Sequence, residues 1–439
     1  MHHILNLTDL FTSLWRGTLY AEGADDKTTW DFAVFRDANI WKSHGAAVAR
    51  ATPYFPGSFD RPPRNPAEKI NSGYKAWEFL LWFFVLGPGH FRACLPKKYW
   101  QHFCQLVFAI RIIQQRTVTH EQLIEAHKAL IQFCDDFELL YYQRAPERIH
   151  FVRQSIHQLI HLSPESLRMG PLWAYTQWTM ERFIGDLGAE ICQPSNPFAN
   201  LSQRNVLCAQ INALKAMLPD LEKKEAVPRG SYDVGEGYRL LAAHDSVHRP
   251  LRDVEFQALV AFLEKEGENV AGVTVTTLKT DRWARVQLPN GQIARSAWKE
   301  NRKALENLRI SRMIKVDHVF GEVRFFFRLQ IHGKVRVLAL VSTYSDIDKT
   351  LYEESFRTLA VCSYRGDEGL TIVDVQSIES VVSMQPLPMT REEAAVENAH
   401  KQYGNRWFVG ERPGLDIALF MSVVARDDMD GELGDVVES

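Results

Sequence analysis

The sequence predicts an α+β protein: a mostly helical N-terminal domain followed by a small β-rich barrel or sandwich domain. Three observations lead there. Up to about residue 220, apolar residues recur at helical spacing. From Pro219 to Gly237 the chain is charged and Gly-containing, which suits a linker. Beyond residue 266, short β-branched and aromatic runs alternate with turn residues. The expected organisation is therefore helical over 1–220, linker and short helix over 221–265, and β-rich over 266–390. A C-terminal extension over 391–426 and an acidic tail over 427–439 follow, the tail too poor in apolar groups to fold alone.

In the first part, Ile4, Leu7, Leu10, Phe11, Leu14 and Trp15 form one apolar face across residues 3–19. A polar break at Glu22 to Thr29 leads to an aromatic-rich segment from Trp30 to Ala51. Pro53 to Pro66 contains five prolines and must be an extended loop. It is either a rigid frame presenting Arg61 and Arg64 or a surface loop packed through Tyr54, Phe55 and Phe59. Helices are expected near 70–86, 97–115, 119–141, 146–162, 175–191 and 203–217, with Thr119 and Gln122 spaced as a capping box.

A short helix over Arg252 to Lys265 precedes the strand region. Strands are expected at 273–277, 284–288, 321–330, 334–344, 358–363 and 369–375, bounded by Pro289-Asn290-Gly291, His332-Gly333 and Arg365-Gly366-Asp367. The pair 322–330 and 334–340 reads as a hairpin across Ile331-His332-Gly333. No internal repeat is visible.

Composition excludes some classes. The formal net charge of −3 rules out DNA binding by bulk charge and leaves local basic patches as the route to phosphates. The six cysteines lie far apart without metal-ligand spacing, as in a reduced intracellular protein with buried thiols. The N-terminus reads as helix, not as a secretory signal. The most apolar stretch, Ala76 to Leu86, contains Glu78 and is about half as long as a bilayer requires, so no membrane insertion is expected.

Four groups of residues stand out. On one helix, His150, His157 and His161 would share a stripe, but Gln158 follows His157 where a zinc protease motif needs Glu. Packing beside the helix that carries Glu181 fits them better than metal binding. Asp135, Asp136 and Glu138 alternate with Phe133, Phe137 and Leu140, as on the solvated side of a helix. Arg295, Lys299, Arg302, Lys303, Arg309, Arg312 and Lys315, interleaved with Trp283 and Trp298, suit phosphate contacts with base stacking, or the charged surface of an amphipathic helix over Ala297 to Leu308. Glu181 sits in Trp178-Thr-Met-Glu-Arg-Phe and is either a functional carboxylate or a partly buried Glu paired with Arg153 or Arg168. Gly87-Pro-Gly is not a phosphate loop, because no Lys-Ser/Thr follows.

Four passages carry a family resemblance. They are Met1-His-His-Ile-Leu-Asn-Leu-Thr-Asp-Leu-Phe-Thr-Ser-Leu-Trp-Arg-Gly, and Arg61-Pro-Pro-Arg-Asn-Pro-Ala-Glu-Lys-Ile-Asn-Ser-Gly-Tyr-Lys-Ala-Trp-Glu-Phe. Then come His150-Phe-Val-Arg-Gln-Ser-Ile-His-Gln-Leu-Ile-His-Leu with Gly170-Pro-Leu and Gln177-Trp-Thr-Met-Glu-Arg-Phe-Ile-Gly, and Phe320-Gly-Glu-Val-Arg-Phe-Phe-Phe-Arg. Together, up to about residue 385, the chain resembles the C-terminal part of fungal CACTA-type (tnp2-like) transposases. The resemblance implies an RNase H-like DDE core, in which two Asp and one Glu hold Mg²⁺ or Mn²⁺ for phosphoryl displacement. Residues 1–220 would be the insertion region and final helix of that core.

The resemblance implies that Glu181 is the third carboxylate, left as a vestigial metal ligand, and that His150, His157, His161 and Trp178 line the former active-site wall. The second Asp is expected just ahead of the pair matching Met1-His2, and the first further upstream. The metal set would then be incomplete, with no cofactor held by this chain as it stands. The resemblance also implies DNA as a partner, a homo-oligomer or full-length transposase as another, and the nucleus as location. Three functions follow: a catalytically incomplete transposon-derived protein, a binding or scaffold module without enzymatic activity, or an active metal-dependent transposase completed by an upstream exon.

Overall fold

The computed structural model describes residues 2–414, except 24, 176, 192–194, 219–226, 273, 276–278 and 318. About half of the chain is a helical N-terminal region, and a curled antiparallel sheet shaped as a half-barrel follows.

The helical part is organised around aromatic side chains. In α1 (His2–Trp15) the predicted face is buried, and Trp15 stacks on Phe83 at 5.7 Å while its Nε1 donates to the Tyr141 hydroxyl at 3.1 Å. α2 (Ala38–Arg50) is capped by Asp37. Three consecutive helical pieces, Ala76–Leu80, Leu81–Leu86 and Gly87–Arg92, cross the centre of the core. The middle piece is wider than an α-helix, which frees backbone carbonyls from the usual ladder. Arg111 uses one of them: its Nε and Nη2 donate to Phe84 O at 3.0 and 2.8 Å. α3 (Lys97–Ile113) carries Arg111, and α4 (His120–Phe137) starts at the Thr119–Gln122 capping box the sequence predicts. α5 (Leu159–Met169), α6 (Gln177–Ala189) and α7 (Pro197–Met217) complete this part.

The strands are β1 (Tyr232–Gly235), β2 (Tyr238–Pro250), β3 (Lys279–Gln287), β4 (Ile293–Arg295), β5 (Met313–Val316) and β6 (Val319–Ile331). They continue with β7 (Lys334–Thr343), β8 (Val361–Ser363), β9 (Leu370–Asp374), β10 (Ile378–Val381), β11 (Ser383–Pro386) and β12 (Arg406–Gly410). The main sheet runs β1-β2-β3-β6-β5-β10, with β4 on β3 and β7 between β6 and β9. The expected hairpin is β6–β7: Ile331 pairs with Lys334, and His332 and Gly333 have φ of 48° and 76°. That is the doubly left-handed geometry of a tight hairpin turn. A smaller sheet, β11-β12-β8, stands apart.

Two stretches differ from expectation. The segment read as linker and short helix over 221–265 contributes β1 and β2 before α8 (Asp253–Lys265). β2 escapes a sequence reading because Leu240 and Leu241 are its buried residues, while its second half is polar and exposed. The amphipathic helix expected over Ala297 to Leu308 shrinks to Ala297–Glu300 and one tight turn at Leu305–Asn307. The acidic tail 427–439 and the strand expected at 273–277 fall wholly or largely outside the described residues.

One apolar core passes through both parts. Phe11, Trp15, Phe83 and Phe103 belong to the same buried cluster as Leu308, Met384 and Phe408. A second core, with Leu240, Val286 and Phe326, fills one face of the curled sheet. On the other face Leu259 and Leu263 of α8 cover Phe325, Leu338 and Leu340. The Pro-rich loop is the main seam. Phe55 and Phe59 are fully buried, Ile310 N donates to Pro53 O at 2.8 Å, and Ser383 Oγ donates to Tyr54 O at 2.8 Å.

Candidate functional site

The residues singled out in the sequence separate into four places. Glu181 lies on α6, whose side chains are exposed apart from a few, with Met180, Phe183 and Ile184 at 63%, 57% and 56% exposure. Trp178, one turn earlier, anchors the helix by meeting Trp77 edge-on at 5.6 Å. Glu181 is therefore exposed, not partly buried. The two arginines weighed as its partners form other ion pairs, Arg153 with Asp9 at 2.8 Å and Arg168 with Glu165 at 2.9 Å.

The histidines do not share one helix. His150 sits in the tight turn Pro146–Phe151, with its Nε2 at 2.7 Å from Tyr20 O. His157 ends the short helix Gln154–His157, and His161 lies on α5, their Nε2 atoms 3.2 Å apart. Val152 and Arg153 break the helix between them, so the predicted stripe reduces to the pair His157–His161. This pair faces Asp135 and Glu138 across a groove that His127 and Cys134 also line. The fold thus joins two sequence features that looked unrelated. Trp178 lines a different cavity, so these residues do not make one wall.

Among the described residues no three His, Cys, Asp or Glu side chains converge as a metal donor set. Glu181 alone does not satisfy Mg²⁺ or Mn²⁺, which take several oxygen ligands.

The basic residues divide into structural and surface cations. Arg64 binds the fully buried Glu78 through Nε and Nη2, both at 2.7 Å. This pair draws Glu78 below the ordinary carboxylate range against the opposing effect of burial. Arg309 donates to Phe55 O at 3.0 Å and Pro56 O at 2.6 Å. Arg312 bridges Glu322 at 2.6 Å and Glu300 at 3.4 Å. Lys315 is buried and reaches Glu379 at 3.1 Å. Arg295 is half-buried, opposite Arg285 across β3–β4. Arg64, Arg309, Arg312 and Lys315 are thus engaged by oxygen atoms of the protein itself. Trp283 is also buried, stacked on His244 at 4.4 Å.

What remains at the surface is compact. Lys299 Nζ and the Arg302 guanidinium lie 4.4 and 5.8 Å from the ring centre of the half-buried Trp298, and Lys303 is exposed beside them. Arg61 is exposed on the Pro-rich loop.

Two features had no signal in the sequence. One is a cavity of about 520 Å³ between α1, α3 and the start of α6, walled by Trp77 and Trp178. The other is Glu411, buried between Lys315 and Arg111 and next to Glu379. Burial pushes its carboxyl up to about 7, although both cations oppose this. Each is assembled from residues hundreds of positions apart, which no local pattern encodes.

No family model, curated protein or solved structure matches this chain.

Proposed function

We propose that the chain is transposon-derived, the C-terminal part of a CACTA-type (tnp2-like) DDE transposase. In this reading Glu181 is the carboxylate this part contributes to the metal site, and DNA is held at the Trp298 surface. One observation carries it: Glu181 stands on a helix whose apolar side chains Met180, Phe183 and Ile184 are bare. A helix of that kind needs an apolar surface to lie against. An RNase H-like sheet carrying the two aspartates supplies such a surface and puts Glu181 beside them. One carboxylate of three holds no metal, so in this reading these residues bind and do not by themselves catalyse.

Lys299, Arg302 and Lys303 around Trp298 support the DNA contact, since clustered cations neutralise phosphates and an aromatic face stacks on unpaired bases. A gel-shift titration against single- and double-stranded DNA at several salt concentrations tests this. Lys299→Ala, Arg302→Ala and Lys303→Ala combined should weaken binding and flatten its salt dependence, by about 0.9 in logarithmic slope for each phosphate left without its cation. Unchanged affinity and slope would remove the surface from the proposal. The alternative, a non-enzymatic scaffold, is favoured by α7, a 21-residue helix with no buried residue. It is the reading to keep if no DNA binds.

A further inference from the structure

At the seam between the two halves, an open groove of about 1080 Å³ runs past the end of α2, the Pro-rich loop and the end of β11. Two side chains on its lining carry polar atoms that the fold leaves unused. Gln385 is 1% exposed and His90 5%, and among the described residues Gln385 Oε1 and His90 Nδ1 have no hydrogen-bond partner. Orphans of this kind cost free energy that a bound partner recovers. The Gln385 amide cannot turn to hide its oxygen. Ser383 Oγ donates to Tyr54 O at 2.8 Å, so it accepts from Gln385 Nε2, also at 2.8 Å. The same Nε2 reaches Ala51 O at 3.4 Å, and a flipped amide would set Oε1 against that carbonyl. Oε1 is therefore an acceptor in need of a donor. Burial keeps the His90 ring neutral, with its pKa down at about 4, and a neutral imidazole offers one donor and one acceptor.

A flat ligand with an N–H beside an acceptor matches this pair. The Watson–Crick edge of a nucleobase has that pattern, and only an unpaired base has it free. Tyr54, Leu305 and Pro388 give the groove apolar faces for such a ring. The groove also continues the surface around Trp298. Lys303 immediately precedes Ala304, which is on the lining, and the exposed Arg50 joins the lining from the last turn of α2. Cations on two separate elements thus stand where the phosphates on either side of a bound base need them. Glu306, also on the lining, is exposed to water, which screens its charge. We propose that this groove takes one unpaired base of a DNA strand that runs on from the Trp298 surface, an inference that rests on the DNA contact proposed there.

The test is fluorescence anisotropy of the full chain with a labelled, mixed-sequence single strand in which one abasic position is moved along the oligonucleotide. We expect two sensitive positions, each weakening binding about tenfold, the loss expected when one stacked base is removed. Trp298→Ala should abolish the first effect only. Gln385→Leu, which deletes the acceptor, should abolish the second only. Ala47→Phe, which fills the groove from α2, should do the same, so that either variant carries the test if the other melts early. A wild-type chain that binds DNA with no sensitive position beyond the one assigned to Trp298 overturns this inference and leaves the surface reading intact. So does a second position that persists in a folded Gln385→Leu or Ala47→Phe chain. Competition by millimolar dAMP or dCMP that equals competition by the unlabelled strand would make the groove a site for free nucleotides and overturn the strand proposal. If the wild-type chain binds no DNA at all, the surface reading itself falls, and this inference falls with it.

Discussion

Arg309 and Phe55 are 254 residues apart, and the Arg309 Nε donates to the Phe55 carbonyl at 3.0 Å. The guanidinium reaches Pro56 O as well, at 2.6 Å. A cation that looks like part of a basic patch is therefore the clamp between the β-rich half and the Pro-rich loop. Burial also holds its pKa below the usual value for arginine. We expect Arg309→Ala to cost about 1–3 kcal/mol, because two carbonyls lose their donor. Urea denaturation measures that loss. The salt slope of DNA binding should not change in this variant, in contrast to the Lys299, Arg302 and Lys303 substitutions.

Gly89 lies where the central helix passes the small sheet. A Cβ there would sit 2.7 Å from the Phe408 ring, and Phe408 is itself buried. Overpacking a closed core in this way costs about 1–3 kcal/mol. Gly89→Ala should lower the melting temperature, and Phe408→Leu in the same chain should recover part of the loss by making room.

Acid should weaken the helical half. His44 accepts the Trp82 Nε1 hydrogen bond at its Nε2 (2.9 Å), which requires a neutral ring. Burial pushes His44 well below the ordinary histidine value and takes His90 and His102 down to about 4. Between pH 6.5 and about 4 the unfolded chain binds protons that the native chain refuses. The stability these three contribute is complete above pH 6.5 and is lost as pH falls through that window. Unfolding titrations followed by tryptophan emission check this. His102→Gln should reduce the pH dependence, and an unchanged profile would contradict it.

Glu411 has the opposite sign. Its carboxyl, ordinarily near 4.5, is raised to about 7 by burial, with Arg111 and Lys315 opposing and Glu379 adding to the rise. The native chain keeps a proton there that the unfolded chain has released, so stability is full below pH 4.5 and declines as pH approaches about 7. The loss is on the order of 3 kcal/mol. Glu411→Gln should flatten the profile between those limits and leave the acid limb set by the histidines in place.

Local chemistry was legible in the sequence, and long-range pairing was not. Thr119 with Gln122 marks the start of α4, and His332-Gly333 marks the β6–β7 turn, because each signal lies within a few residues. The apolar face of α1 was readable for the same reason. A lysine or arginine, however, looks the same in sequence whether it faces water or an acid. Lys315 and Arg312 needed Glu379, Glu322 and Glu300 to be placed before their role was visible. The cavity beside Trp178 and the site of Glu411 are assembled across the whole chain, so neither leaves a motif.

The most direct test of the central claim is the genomic DNA immediately upstream of the Met1 codon. Descent from a CACTA-type transposase predicts a coding segment there, intact or interrupted by stop codons, that reads as RNase H-like strands. It should carry two aspartates, the second just ahead of Met1-His2. An intact frame would add catalysis to the proposed role, and an interrupted one would leave binding alone. The absence of such a segment in every frame would contradict the transposase origin and with it the assignment of Glu181.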